Sequence, residues 1–253
     1  MKQFFAETNR QPSNIKVGVS TERPTKIHIR AIDPFKKGAL YLDRWSTVQG
    51  EEEFEIRLPQ SPKKLLIKVW SDKGQPFEVT NLERVDLEQY NPCLIGEETQ
   101  SFIEFAKQFS EDAGILSAGR YQSDDKMYTI DYLPVIKHEG KVISTPARIS
   151  NSTGRMEISQ AKYSKMSIPM RMAILCHEFS HYYMNEIQKD EIEADLNALT
   201  IYLSLGYPVI EAHKAFLETF HNTPTETNKE RYAYLKAFID NFDELKTRIC
   251  NVN

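Results

Sequence analysis

Two histidines four residues apart, with a glutamate directly after the first, are the residues in this chain best suited to chemistry. They form the run His177-Glu178-Phe179-Ser180-His181. On a helix, residues four apart lie one turn above each other on the same face, so both imidazoles can reach one metal ion. Glu178 projects beside them, where it can take a proton from water bound to that ion. The motif predicts a Zn²⁺ site with His177 and His181 as ligands and Glu178 as the general base for attack on a carbonyl.

A third protein ligand is expected in the acidic run DEIEAD at 190–195. Glu191 and Asp195 are four residues apart and share a helix face, whereas Glu193 points roughly 200° away from Glu191. We therefore expect Glu191 to bind the metal. Asp195 is expected to accept from the imidazole N–H of His177 or His181, which would fix the tautomer of that ring. The alternative is that Glu191 and Glu193 are only helix N-terminal charges, favoured by the macrodipole.

The short spacing between His181 and Glu191 requires a turn. A helix continuous through both would separate them by about 15 Å, too far to share an ion. The segment 182–190 contains no Gly or Pro, and Asn185, which tolerates the left-handed conformation, is the best candidate for the break. Without a turn, three other side chains become the alternatives for the third ligand: Glu211, His213 and His221.

The elements that position these residues follow from hydrophobic periodicity. The motif helix is expected to begin at Pro169, because proline suits the first helical position. Further helices are expected over about 102–114, 191–205, 208–220 and 226–249. Strand-like runs are expected at 127–136, 142–149 and 155–163.

Apolar residues alternate with period two from about Asn14 to Val85, in short runs separated by turn residues. This pattern predicts a small antiparallel module of six or so strands, sandwich-like in an immunoglobulin-like or jelly-roll-like manner. The pattern changes near residues 90–100. We therefore predict an α+β chain with an N-terminal β-sandwich-like domain over 1–92 and a second domain over 93–253 that holds the metal site.

The sequence Glu191-x-x-Ala194-Asp195 after His-Glu-x-x-His resembles the gluzincin pattern of the M48 peptidases and of the small ImmA/IrrE-like peptidases. The resemblance implies a zincin-like second domain, with a small β-sheet plus helices and the His-Glu-x-x-His motif on the active-site helix. It also implies Glu191 as the third ligand and Glu178 as the base. By analogy with zincins, the run 155–163 would supply an edge strand that aligns an extended peptide. By motif, the resemblance covers only residues 177–198.

A developing oxyanion needs a hydrogen-bond donor besides the metal. His221 with Pro224, followed by Arg231, is faintly similar to a stretch found late in M48 sequences, which implies His221 or Arg231 as the donor. The alternative is that both are surface residues of the later helices.

Short stretches further along the chain, at 197–198, 201–203 and 206–208, are similar to the sequences of bacteriophage proteins from gut bacteria that carry the same HEFSH motif as residues 177–181. Two functional hypotheses follow. The first is a zinc metalloendopeptidase acting on a peptide or protein substrate. The second is a structural component of an assembly such as a phage virion or tail, with a zincin-fold domain of restricted or no activity. In either case the N-terminal β module could contact other proteins of an assembly.

Composition restricts the partners. The 253 residues include 32 basic and 36 acidic side chains, for a net charge of -4, so no broad basic footprint for nucleic acid or an anionic membrane is expected. The N-terminal apolar run ends at Glu7, too early for a secretory signal, and no stretch approaches the roughly 20 apolar residues of a membrane helix. The three cysteines lack the pairing of a zinc ribbon or a redox couple. These features predict a cytoplasmic protein.

Overall fold

The structure, a computed structural model, describes residues 1–87, 95–221 and 225–250, without the side chains at 97, 98, 217–221, 246 and 248–250. The chain forms two compact units, Met1–Tyr90 with Gly206–Pro208, and Asn91–Leu205 with Val209–Asn253. The predicted α+β class is confirmed, since the described residues contain mainly antiparallel sheets and six α-helices. The predicted domain boundary at 92–93 lies outside the described residues. Within the described ranges, no helix is both long and apolar enough to cross a membrane.

The first unit is built on one antiparallel sheet. Its strands are β1 (Lys2–Glu7), β2 (Ser13–Ile32), β3 (Leu40–Leu58), β4 (Lys64–Ser71) and β5 (Glu78–Asp86). Their order is β1-β4-β2-β3, and β5 pairs with the first half of β2. The structure thus has five strands in a single hydrogen-bonded sheet, where the sequence predicted six or so shorter ones.

The difference arises at a bulge in β2. The pairing register between β2 and β3 shifts between Thr21 and Thr25, yet the strand continues on both sides of the shift. A bulge adds unpaired residues and bends a strand without ending it. Val19 and Ile27, on either side of the bulge, are both fully buried. The polar residues between them therefore belong to a bend in one strand and not to a turn between two.

The second unit carries a four-stranded sheet in the order β10-β11-β7-β6. Its strands are β6 (Gly119–Gln122), β7 (Thr129–Leu133), β10 (Ala147–Ile149) and β11 (Met156–Ser159), with a small hairpin of β8 (Lys137–His138) and β9 (Lys141–Val142) between them in sequence. β11 pairs with β10 on one side and with β7 on the other. The run at 155–163 was therefore predicted wrongly as an edge strand: its strand is internal, and the edges of the sheet are β10 and β6.

Six helices complete the described part of this unit: α1 (Glu97–Asp112), α2 (Gln160–Tyr163), α3 (Ile168–Tyr183), α4 (Glu191–Ser204), α5 (Val209–His221) and α6 (Glu226–Cys250). α3 begins at Ile168, one residue before the predicted start at Pro169, and its N-cap is Ser167, whose hydroxyl accepts from the backbone N–H of Met170. Nearly all of α3 is buried, and it packs against α1, α4, α5 and β10. It is therefore the central element of the unit.

A buried arginine anchors the start of α3. Arg171 has no solvent exposure, and its guanidinium donates to the backbone carbonyls of Ser110, Tyr163 and Ser164. The Tyr163 hydroxyl donates in return to the Arg171 carbonyl at 2.9 Å. These bonds hold the end of α1 and the short helix α2 against the first turn of α3, so the helix that carries the metal-site motif has a rigid base.

Candidate metal centre

Three side chains from α3 and α4 converge on one point. His177 Nε2 lies 3.1 Å from His181 Nε2. The Glu191 carboxylate reaches both rings, with Oε2 3.5 Å from His177 Nε2 and Oε1 3.6 Å from His181 Nε2. Ligands bound at about 2.0–2.1 Å to a tetrahedral ion stand about 3.3 Å apart. The two nitrogens and the nearer carboxylate oxygen of each pair have separations near this value, and one ligand atom from each of the three residues lies within 4.8 Å of the others. The donor set of two imidazoles and a carboxylate suits Zn²⁺, and this is the one group of potential metal ligands found in the described part of the chain.

The chain turns between the two helices, as a shared site requires. α3 ends at Tyr183 and α4 begins at Glu191, with Asp190 as its N-cap. Asn185 does take part in the turn, but not through a left-handed backbone, since it is absent from the residues with positive φ. Its side-chain amide instead donates to the Asp190 carbonyl at 2.8 Å and accepts from Asn197 at 3.1 Å. The turn is thus closed by side-chain bonds.

Backbone and carboxylate oxygens orient the two imidazoles. His177 Nδ1 lies 2.9 Å from Asp195 Oδ1, and His181 Nδ1 lies 2.7 Å from the Gln188 carbonyl oxygen. Each ring therefore has an oxygen acceptor close to Nδ1 and directs Nε2 to the common point, the arrangement that supports metal ligation by Nε2. Of the two rings that the sequence left open as partners of Asp195, His177 is the one whose Nδ1 lies beside this carboxylate. The sequence did not identify Gln188, because a backbone acceptor leaves no residue-type pattern.

Arg231 joins the site from α6. Its guanidinium forms two bonds to the Asp195 carboxylate, Nε to Oδ2 at 2.8 Å and Nη2 to Oδ1 at 2.9 Å. Its Nη1 lies 3.0 Å from Glu191 Oε2. Asp195 is 1% exposed, so this charge would be costly to bury without such a partner. The geometry favours a positioning role for Arg231 over the predicted role as an oxyanion donor.

Glu178 is buried beside the histidines. Burial raises the pKa of its carboxyl from 4.5 to about 7, although the charge on His177 and a backbone hydrogen bond from Ile149 act in the opposite direction. The carboxyl can therefore accept and release a proton near neutral pH. Both properties suit a general base.

The charges around the histidines favour a cation. Burial lowers the pKa of His177, but its contacts with Asp195 and Glu191 outweigh that effect and raise the pKa to about 10. Burial raises the pKa of Glu191, but His177 and Arg231 outweigh it and lower the pKa to about 2. Burial and the charge on His177 lower the pKa of His181. The anionic cluster thus holds a proton strongly at a point where a metal ion would replace it.

The site opens into a cleft of about 710 Å³. The cleft is lined by residues of α3 and α4, by the edge strand β10, and by parts of α5 and α6; they include His177, Glu178, His181, Glu191 and Arg231. A cleft of this volume is in the range that accommodates ligands and substrates. The candidate general base and all three candidate ligands face it.

The remaining sequence candidates lie elsewhere. Glu211 is 1% exposed and accepts a hydrogen bond from the Ser167 hydroxyl at the start of α3. His213 lies on α5 with its ring centroid 6.1 Å from that of Tyr232. Neither lines the cleft. The side chain of His221, an alternative ligand and a candidate donor, lies outside the described residues.

Comparison with protein-family models, with curated proteins and with solved structures finds no match.

Proposed function

We propose that the chain is a zinc-dependent endopeptidase whose second unit is zincin-like. His177, His181 and Glu191 would hold Zn²⁺, and Glu178 would act as general base. The observation that carries this proposal is the convergence of His177 Nε2, His181 Nε2 and the Glu191 carboxylate: the two nitrogens lie 3.1 Å apart, each lies within 3.6 Å of one carboxylate oxygen, and one ligand atom from each residue lies within 4.8 Å of the others. Beside them stands a buried carboxyl whose pKa is raised to about 7. The resemblance of the motif to gluzincins supports the same assignment.

The protein groups have separate tasks in this proposal. A bound Zn²⁺ would supply Lewis acidity, which lowers the pKa of a coordinated water toward about 7 and polarises a carbonyl. Glu178 takes the proton from the attacking water and passes it to the leaving amine. Asp195 and the Gln188 carbonyl keep the two imidazoles in the tautomer that ligates through Nε2. Arg231 holds Glu191 and Asp195 in place.

The edge strand β10 offers a backbone for an extended peptide. Ser150 N–H donates to the Arg155 carbonyl and Ser159 N–H donates to the Pro146 carbonyl. This alternation directs the backbone groups of 146, 148 and 150 to β11 and those of Ala147 and Ile149 to the open edge. Two of these groups already have partners. The Ile149 N–H donates a hydrogen bond to the Glu178 carboxylate, and the Ala147 carbonyl accepts one from Thr145 Oγ1 at 2.6 Å. Ala147 is 1% exposed and Ile149 is half-buried, so the Ile149 carbonyl is the accessible group that would bind a peptide by strand addition beside the general base.

Elemental analysis of the native protein tests the metal assignment. We expect about one zinc per chain in the wild type and a strong loss of zinc in His181→Ala and in Glu191→Ala, since each variant removes one of three protein ligands. Glu186→Ala, an exposed residue of the same turn, is the matched control and should retain the ion. A wild type without zinc would contradict the proposal. Zinc without hydrolysis of any peptide would favour the alternative of a structural component in a larger assembly.

Zinc binding should also release a proton from His177 at pH 8. The imidazole of His177, with its pKa raised to about 10, is protonated at this pH in the metal-free protein, and a ligand must be neutral. Isothermal titration calorimetry in buffers of different ionisation enthalpy should give about two protons released per zinc, one from His177 and about one from a coordinated water whose pKa zinc lowers toward about 7. A histidine with the ordinary pKa of about 6.5 would contribute fewer than about 0.1, so the total would then be about one.

Asp195→Asn provides the control for this measurement. The substitution removes a carboxylate that raises the pKa of His177, so the released proton count should fall toward about one, the contribution of the coordinated water. A release of about one proton in the wild type would mean that His177 is already neutral before zinc binds.

A further inference from the structure

A row of charged side chains crosses the four-stranded sheet and ends in a cation at its open edge. The pairing register aligns Arg148 of β10 with Glu157 of β11, Glu157 with Asp131 of β7, and Asp131 with Arg120 of β6. Side chains at one register position share a face of a sheet and interact across strands. Arg148 occupies the edge position, where the next strand would be added.

Together with the neighbouring Arg155, this row carries more positive than negative charge. Arg148 Nη2 lies 2.6 Å from Glu157 Oε2 and donates to the Lys137 carbonyl at 3.1 Å. Asp131 is shared by two arginines, with Arg120 Nε at 2.7 Å and Arg155 Nε at 3.0 Å. Three guanidinium groups thus face two carboxylates. Arg148 and Arg120 lie at opposite edges of the sheet, and of the two only Arg148 lines the cleft.

The side chains that line the cleft beside this edge are also positively charged outside the proposed metal site. Among its described lining residues, the only carboxylates are Glu178 and Glu191, which both belong to the proposed metal site. Arg148 and the exposed Lys189 line it as cations outside that site. A peptide bound along β10 would therefore meet positive charge away from the reacting atoms.

We infer that the peptide taken by this cleft carries an acidic side chain opposite Arg148. This inference rests on the proposed function. Because Ala147 and Ile149 use their backbone groups at the open edge, the peptide residue opposite Arg148 stands in a non-hydrogen-bonded pair, with its Cα about 4.5 Å away. At that distance an Asp or Glu completes the charge row, whereas Lys or Arg meets a like charge. A charged edge residue can also act only to block pairing between copies of a chain, and the experiment separates the two.

A peptide library tests the inference, with Asp, Asn and Lys placed in turn at each position and cleavage by the zinc-loaded full chain followed by mass spectrometry. At one position we expect kcat/KM to be about threefold to fivefold higher for Asp than for Asn, the size of an exposed cross-strand charge pair. Lys should be disfavoured by a similar factor relative to Asn.

The double variant Arg148→Glu with Glu157→Arg is the decisive test. It keeps the cross-strand pair, and with it the fold, but reverses the charge at the edge, so the preference should change from Asp to Lys. Arg120→Gln is the matched control. It removes an arginine from the same row at the opposite edge, three strand spacings or about 14 Å away, where salt screens its charge, so the preference for Asp should remain.

The outcomes separate the two proposals. Cleavage without an acidic preference, or an acidic preference that persists in the double variant, would overturn this inference and leave the endopeptidase assignment intact. A zinc-loaded protein that cleaves no member of the library would overturn the endopeptidase assignment and the inference with it.

Discussion

Replacing Glu178 by Gln is expected to lower kcat for peptide hydrolysis by about 10²–10⁴-fold, the usual contribution of a general base. Gln keeps the size and shape of the side chain but cannot accept the proton of the attacking water. Zinc content should remain at about one ion per chain, because Glu178 is not among the three converging ligands. Peptide cleavage and elemental analysis on the same preparation measure both quantities. Equal hydrolysis by the wild type and the variant would show that the activity is background.

The stability of the metal-free protein gives an independent test of the same residue. Burial raises the pKa of Glu178 from 4.5 to about 7 in the folded chain, so the unfolded state loses this proton at a lower pH. Ionisation therefore decreases the free energy of unfolding as pH rises from about 4.5, and the loss is complete above about 7. A Gln at this position does not ionise. Glu178→Gln should be more stable than the wild type in denaturant titrations at pH 8 and equally stable at pH 4.5.

Glu186→Gln controls for the loss of a negative charge near the site. Glu186 is exposed, and its replacement should change neither zinc content nor hydrolysis, and it should leave the free energy of unfolding within about 0.5 kcal/mol. A variant at Glu178 that is less stable than the wild type at pH 8 would contradict the burial of an ionised carboxylate there.

The parts of the site within one helix could be predicted from the sequence because helix periodicity is a local constraint. The spacing of His177 and His181 predicted a common face, and the three residues between Glu191 and Asp195 predicted another. The start of α3 also followed from local chemistry, since Ser167 caps the helix and Pro169 lies in its first turn. The structure brings these faces together.

Local sequence patterns could not predict how the turn between α3 and α4 is closed, or which strand lies at the edge of the sheet. Asn185 closes its turn through side-chain bonds to Asp190 and Asn197, and one of those partners lies a full turn inside α4. The identity of the edge strand depends on sheet order, in which β11 pairs on both sides. A three-residue strand such as Ala147–Ile149 has too few positions to show alternation. Contacts between distant segments decide both features.

The role of Arg231 also could not be predicted from local sequence patterns. It lies 36 residues after Asp195, and no periodic pattern links the two positions. Sequence similarity suggested a donor to a transition state, whereas the structure places the guanidinium between two carboxylates. Only the packing of α6 against α4 brings them together.

Replacing Arg231 by Met should weaken both the fold and the metal site. Met retains much of the apolar volume but leaves Asp195, which is 1% exposed, without its two-bond partner. Breaking a buried ion pair from one side costs about 3–5 kcal/mol, measurable by urea unfolding of the metal-free protein. The loss of a group that positions a ligand and its supporting carboxylate should weaken zinc binding by about 10–100-fold, measurable with a competing chelator.

Two further variants decide what Arg231 contributes. Arg231→Lys keeps the charge but not the planar fork that bonds Asp195 twice, so it should fall between Met and the wild type in both measurements. Lys229→Met removes a cation on the same helix that is 72% exposed and pairs with Glu226, and it should change stability by less than about 0.5 kcal/mol with unchanged zinc affinity. If Arg231→Met instead keeps its zinc affinity and stability but loses kcat, then the guanidinium acts on the transition state, as the resemblance in the sequence implied. Loss of zinc affinity and stability together supports the positioning role, because an oxyanion donor has no reason to affect either.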